Sequence, residues 1–460
     1  MRRREFTRLL VLAPAAFAHR ARGDDRPTFN VRRLGAVADG ATDDKLAFLT
    51  AITSAARVGG IVFVPAGNYR VSIPLRIPSG VMMAGEGHAS MILHEGDLIV
   101  LWCVGAKGVE IRNLQISGRF AHGLLIQQST DIVVHGCSFV GAIIPRFNYA
   151  AGIYIVESSG ITIELCHLEG NGLEGERVSS DIQCDGTDAR SNRISIIGNV
   201  CRSTLVTSNI RCYDMSYSQI RQNSVSGARR MTDVSGGYGI VVYETGANVG
   251  GCRGNCVDGN EVTDTQGSGI YLNRSHSSRV VANHIMRAGT HQLDVSLPVA
   301  GIALNQSEFG TVALNKIESS GSAGIAIASN GARPLTVVVS ENTVQHALGI
   351  GIHLRGTVSE VSVVRNTVTD SHGGIGSFSE HAQDRIEIRD NKVMNTGGKR
   401  AAISLQNASR SAVVGNELED NEGLDLDVRF VDASSSVSDN RQLSHGILFV
   451  DQERVRIYRP

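Results

Sequence analysis

Residues 209–216 read NIRCYDMS, with Ile210 and Cys212 alternating with Arg211, Tyr213 and Asp214. Successive side chains of an extended strand face opposite ways, so Arg211 and Tyr213 share a face, and Asp214 closes the segment beside them. Comparable polar and aromatic sets recur as Tyr154 and Glu157, Gln183 and Asp185, Tyr243 and Glu244, and Tyr271, Asn273 and Arg274. If these segments lie as neighbouring strands, equivalent residues are about 5 Å apart. At that spacing one carboxyl raises the pKa of the next. Paired carboxyl groups are what glycosidic cleavage requires. Tyrosine rings stack on the apolar faces of sugars. Guanidinium groups hold uronate carboxylates or neutralise them for β-elimination. The expected catalytic set is therefore Asp214 at the centre, Asp185 and Glu244 as its partners, and Arg211 as clamp or base. The expected substrate-binding set is Tyr154, Glu157, Gln183, Tyr213, Arg229, Arg230, Tyr243, Tyr271, Asn273 and Arg274. Acid, base and tyrosine ladders also stabilise sheets by cross-strand pairing, so the pattern admits a purely structural reading.

The elements that stack these segments follow from a repeat. One phrase is Gly-Ile-x-apolar, as in GIYI at 152, GIVV at 239, GIYL at 269, GIAL at 301 and GIHL at 351. The other is apolar-x-x-x-Asn-x-apolar, with asparagines at 199, 223, 260, 283, 315, 342, 366, 391, 416 and 440. The shortest steps, 223 to 199 and 283 to 260, are 24 and 23 residues; longer steps add a loop to that unit. A fixed period is the signature of a solenoid. Each unit holds short alternating strands and no helical pattern, which selects a single-stranded right-handed parallel β-helix of about 11–12 coils. The asparagine is expected to take the left-handed conformation at a bend and to bond to its counterpart one coil away. Cys137 and Cys166 stand at the same place in earlier coils.

Calling the glycine position one, positions two and four point inward and three and five outward. Position three then reads Leu125, Tyr154, Gln183, Arg211, Val241, Tyr271, Ala303, Ala326, His353; position five reads Gln127, Val156, Asp185, Tyr213, Tyr243, Asn273, Asn305, Ala328, Arg355. Cys184 and Cys212 fall inward. Insertions at 141–150, 170–180, 227–238 and 287–300 precede the polar and aromatic coils, and loops that wall a regular sheet are where binding sites arise.

The segments FNVRRLGAVADGATDDKLAFLTAI (29–52) and GGIVFVPAGNYRVSIPLRIPSGVMMAGEG (59–87) resemble the N-terminal portion of pectate-lyase-like β-helix proteins. The resemblance implies a capping helix, with Asp43 or Asp44 at its N-terminus and its end near Arg57, and the first coils after it. With the leader described below, the whole chain resembles the twin-arginine-translocated repeat proteins of that superfamily. Its members include lyases, polygalacturonases, epimerases and phage-tail depolymerases. The polygalacturonase pattern of Asn-Thr-Asp, Asp-Asp, Gly-His-Gly and Arg-x-Lys is not present in order, so none of its catalytic residues is carried over.

Composition sets outer bounds. The chain has 460 residues with 44 basic and 45 acidic side chains, which gives no global attraction to nucleic acid or anionic membrane. No apolar run after the N-terminus reaches the ~18 residues of a membrane span. Residues 1–18 carry Arg3-Arg4-x-Phe6, an apolar run and AFA, the form of a twin-arginine export signal. The expected domains are thus 1–18, signal; 29–95, cap helix and first coils; 96–460, repeats. Cys252 and Cys256 stand close enough in sequence for a loop disulfide. The scattered histidines His94, His122 and His135 lack ligand spacing and are expected in turns or on the surface. No cofactor is expected; calcium through Asp185, Asp188 and Asp214 has no loop motif behind it. The expectation is an exported protein, periplasmic or extracellular, that binds an acidic polysaccharide and cleaves it as a hydrolase or lyase. The alternatives are a glycan-binding envelope or adhesion protein, and a polysaccharide epimerase.

Overall fold

In a computed structural model the chain forms a parallel β-solenoid of about 14 turns, with one helix near the N-terminus. The structure describes residues 25–460 except 97–98, 144–148, 173–177, 187–191, 230–235, 246–251, 291–298, 332–333, 378–380, 398–399, 445–446, 450–454 and 459–460. The expected signal, 1–18, lies outside them. The count exceeds 11–12 because the early coils lack both repeat phrases. A typical coil has three short strands, as in Ser208–Tyr213, Gln219–Arg221 and Ser224–Ser226. Each pairs in parallel with its counterpart in the next coil. The inward Ile, Val and Leu residues make one continuous core, and Cys184 and Cys212 sit fully buried in it.

The asparagine ladder is the internal spine. Asn283 Nδ2 and backbone N both donate to Asn315 Oδ1 at 2.9 Å, and Asn315 makes the same two bonds to Asn342 at 2.9 and 3.0 Å. Cys166 N joins the column by donating to Asn199 Oδ1 at 2.9 Å. The left-handed residue is not the asparagine but the one before it: Gln222, Ala282, Leu314, Glu341, Arg365 and Asp390 have φ between 53° and 58°. The bend thus falls one residue earlier than expected, which frees the asparagine to turn its amide along the stacking axis.

The recurrent glycine also differs from expectation. A Cβ on Gly301 would stand 2.5 Å from Ile317 Cγ2 and 2.8 Å from Gly324 O; one on Gly239 would stand 2.5 Å from Val262 Cγ1. Position one therefore faces the core rather than solvent, and only glycine lets the chain turn so close to the third strand. The inter-coil pairing skips this residue, running from Ser208–Tyr238 straight to Ile210–Ile240. As a result the residue before each glycine also faces outward.

The N-terminal end is closed by a helix, Lys45–Val58, which buries Phe48, Ala51, Ile52 and Ala55. Asp43 Oδ1 accepts from Lys45 N at 3.3 Å. Asp44 precedes the helix but turns its carboxylate away, accepting from Val37 N at 2.7 Å and Ala38 N at 3.1 Å. All eight cysteines are unpaired, so Cys252 and Cys256 form no disulfide. No helix among the described residues is long and apolar enough to cross a membrane.

Candidate functional site

The pairing register builds the site on the outer face of the first strand of each coil. Position three runs Leu125, Tyr154, Gln183, Arg211, Val241, Tyr271, Ala303, Ala326, and position five runs Asp185, Tyr213, Tyr243, Asn273, Asn305, as the phrase alignment requires. A third outward column, one residue before the glycine, was not foreseen. It runs His122, Ala151, Ser180, Ser208, Tyr238.

These columns enclose a groove of about 380 Å³ lined by Arg211, Tyr213, Tyr238, Val241, Tyr243 and Tyr271, among others. Tyr238 and Tyr271 stack with centroids 5.2 Å apart and planes 14° apart. Tyr213 and Tyr243 meet at 5.3 Å with planes tilted 56°. The Arg211 guanidinium carbon lies 4.3 Å from the Tyr213 ring centroid, a cation–π contact that holds the charge over the groove. Burial pushes the Tyr271 phenol pKa up. The middles of the four long insertions lie outside the described residues; from the third, Gly236 and Tyr238 reach the groove.

Asp185 stands at one end. Its Oδ2 accepts from the Tyr154 hydroxyl at 2.6 Å and from Gln183 Nε2 at 3.0 Å. Burial raises its pKa, against the lowering effect of those two bonds and of the Arg211 charge; the Asp214 charge adds to the rise. Beside Tyr154, with ring centroids 4.9 Å apart, lies His122. Burial depresses the His122 pKa to about 4, so it is neutral at pH 7. His94 is buried too, its Nδ1 2.8 Å from Val71 O, so these two histidines are neither turn nor surface residues.

The other expected carboxylates sit differently. Asp214 is 3% exposed at a left-handed turn (φ 48°), and its two oxygens accept from Thr245 N and the Thr245 hydroxyl. Glu244 is 2% exposed. Glu157, also left-handed (φ 48°), accepts from Gln128 Nε2 at 2.9 Å. These residues follow position five, where the strand ends and the chain turns, so they leave the outward alternation. Asn273 Oδ1 accepts from Asn305 Nδ2 at 2.8 Å, and Arg274 Nε donates to Gln306 at 3.1 Å, both as links between coils. Arg229 is exposed. Arg230 and Asp188 lie outside the described residues. Among the described residues no group of three or more His, Cys, Asp or Glu could hold a metal. Of the calcium set of Asp185, Asp188 and Asp214, Asp188 lies outside the described residues, while Asp185 accepts from Tyr154 and Gln183 and Asp214 from Thr245.

The right-handed parallel solenoid places the chain in the pectate-lyase-like superfamily of β-helix proteins. The chain belongs to the right-handed β-helix family, whose profile, described as the right-handed beta helix region, matches residues 98–253, 208–367 and 335–458. Residues 28–110 match the rhamnogalacturonase A/epimerase, pectate lyase-like family. The mannuronan C5-epimerases AlgE1 and AlgE4 of Azotobacter vinelandii are 41% and 38% identical to it over 73 residues, 14% of this chain and 5% and 13% of theirs. The chain thus spans a small part of the curated relatives it matches. The N-terminal fragment of bacteriophage phi29 gene product 12 superposes with a TM-score of 0.57 at 16% identity, over 92% of this chain and 73% of that one. The catalytic unit of the GH87 α-1,3-glucanase of Streptomyces thermodiastaticus superposes with 0.54 at 14%, over 90% and 69%. At these identities the likeness is one of fold.

Proposed function

We propose that the groove binds an extended acidic polysaccharide and carries out acid–base chemistry on it at Asp185. The observation that carries this reading is the Tyr154–Asp185 pair, a carboxyl of raised pKa bonded to a phenol beside the Arg211 guanidinium. Arg211 pairs with a uronate carboxylate and spreads its charge, which acidifies the proton on the adjacent sugar carbon. Asp185, with the Tyr154 hydroxyl, takes that proton. Delivery of a proton from solvent to the opposite face of the resulting carbanion gives epimerisation; breaking the bond to the glycosidic oxygen, which leaves with a proton from solvent as the double bond forms, instead gives β-elimination. Hydrolysis is less well served, because it needs two carboxyl groups across the scissile bond, and Asp214 and Glu244 are buried beyond the ends of their strands. The tyrosines supply stacking surfaces for flanking sugars. The sequence matches to mannuronan epimerases favour the same chemistry. Arg3-Arg4 and the segment to Ala18 add export to the periplasm or beyond as part of the proposal.

The test is purified protein on polyuronates and neutral glucans, with and without calcium. Three signals are read together: new reducing ends, absorbance of unsaturated uronates, and exchange of the C5 proton with solvent deuterium. Exchange or unsaturation that Asp185→Asn abolishes supports the reading. Reducing ends alone, surviving Asp185→Asn, overturn it. Retention of a glycan by the wild type but not by Tyr213→Ala, with no turnover, would favour a binding protein, the second reading that the tyrosine-lined groove supports.

A further inference from the structure

The outward position-three column does not end at Leu125. It continues toward the cap through Trp102 and Arg76, by the pairings Trp102–Leu125 and Arg76–Trp102. There a second cavity, of about 490 Å³, opens between the capping helix and the first coils. Its walls include Ile52 and Arg57 from the helix, and Pro74, Arg76, Pro78 and Trp102 from the coils. The sequence explains why it is open. Pro74 and Pro78 bracket a strand of only two residues, Leu75–Arg76. Proline donates no hydrogen bond to a ladder, so this edge cannot lengthen and close against the helix.

We infer that this cavity is a second binding subsite for the same acidic polymer. Three observations converge on it. Trp102 is the only tryptophan of the chain and offers an aromatic platform. Its indole Nε1 is enclosed and finds no acceptor among the described residues, so a small turn of the ring on binding would let it donate to a sugar oxygen. Arg57 and Arg76, from separate elements, are both exposed beside it and supply the charge that a uronate carboxylate needs. Four coil steps separate Trp102 from Arg211 (102, 125, 154, 183, 211), roughly 19 Å at about 4.8 Å per step. A chain lying along the sheet face would therefore meet Trp102 and the central groove together. The two contacts act as linked sites, so affinity rises steeply once an oligomer is long enough to span both. This inference rests on the proposed reading of the central groove for the identity of the polymer, but its readout does not.

Because Trp102 is the sole tryptophan, its fluorescence reports on this cavity alone. Length-fractionated oligogalacturonates, oligomannuronates and neutral oligoglucans are titrated into the whole protein, the wild type and three variants in parallel. A saturable change in emission with an acidic series is expected. It should weaken about tenfold for each of Arg57→Ala and Arg76→Ala, the loss of one charge-assisted contact. It should persist in Tyr213→Ala, with the length threshold gone. Retention of an acidic glycan with silent emission would overturn this inference and leave the central groove standing. A change in emission unaltered in affinity or length dependence by Tyr213→Ala would keep this subsite and sink the central groove. An equal response to neutral glucans, or one indifferent to both arginine variants, would also overturn it. Unchanged far-UV circular dichroism guards against misfolding of the surface variants.

Discussion

Replacing Asn315 by alanine should cost about 5–7 kcal/mol of local stability, far more than its small volume suggests. Asn315 is 1% exposed and its side chain takes part in four hydrogen bonds. Oδ1 accepts from Asn283 N and Nδ2, both at 2.9 Å, and Nδ2 donates to Val280 O and Asn342 Oδ1, both at 2.9 Å. At about 1 kcal/mol net per bond the loss is ~4 kcal/mol. The neighbours then share the damage unequally. Asn283 Nδ2 keeps Val257 O and Val281 O, and Asn342 Oδ1 keeps the backbone N of residue 315. Asn283 N has no such fallback and becomes a buried orphan donor, worth a further ~1–3 kcal/mol. Asn440 ends the described ladder and is the internal control. It takes part in three bonds rather than four and is only partly buried, so water replaces what alanine removes. Asn440→Ala should cost less than half as much. The assay is urea unfolding followed by far-UV circular dichroism, with amide exchange to locate the loosened coils, since damage in a solenoid spreads through nearest neighbours. Equal costs at the two positions, or a loss below ~1 kcal/mol at Asn315, would refute the view that the ladder is a cooperative spine.

Other outcomes follow from the same geometry. Gly301→Ala places a Cβ 2.5 Å from Ile317 Cγ2 and should destabilise by about 1–3 kcal/mol, with partial recovery in the Gly301→Ala, Ile317→Ala double variant; no recovery would mean the backbone contact to Gly324 O dominates. Tyr154→Phe removes a bond that lowers the Asp185 pKa, so that carboxyl should rise further and the acid limb of the activity profile should move to higher pH; a limb that stays put would detach Asp185 from the rate. Asp181 is fully buried and its pKa is raised to about 6 by desolvation, despite bonds from Asn171, Ser203 and Asn209. A carboxyl raised in the folded state holds its proton there more tightly than in the unfolded chain. Asp181 should therefore contribute a fall in stability as pH rises from about 4 to about 6, and the melting-temperature difference between Asp181→Asn and the wild type should change with that slope across the range.

Two columns of the site were legible because the Gly-Ile phrase fixes strand phase: with the inward Ile and Leu known, alternation places Arg211, Tyr213 and Tyr271 on one face. On either side of the strand the reading failed. Grouping Asp214 and Glu244 with the outward set runs against the alternation, which points position six inward, and both are buried, Asp214 with a φ of 48°. The alternation itself hid His122 and Tyr238, because counting back through an outward glycine assigns the residue before it to the core. The physical cause is a single fact: the glycine faces inward, its missing Cβ vacating the space that Val262 or Ile317 occupies. A run of glycines at one phase of a repeat therefore marks an inward-facing position within the strand, and a bulky or titratable residue just before such a glycine belongs to the outer face. On that rule His122 and Tyr238 join the site from sequence alone. The acidic core of the site then narrows to Asp185, the one of the three expected carboxylates that stands on the strand rather than in the turn beyond it.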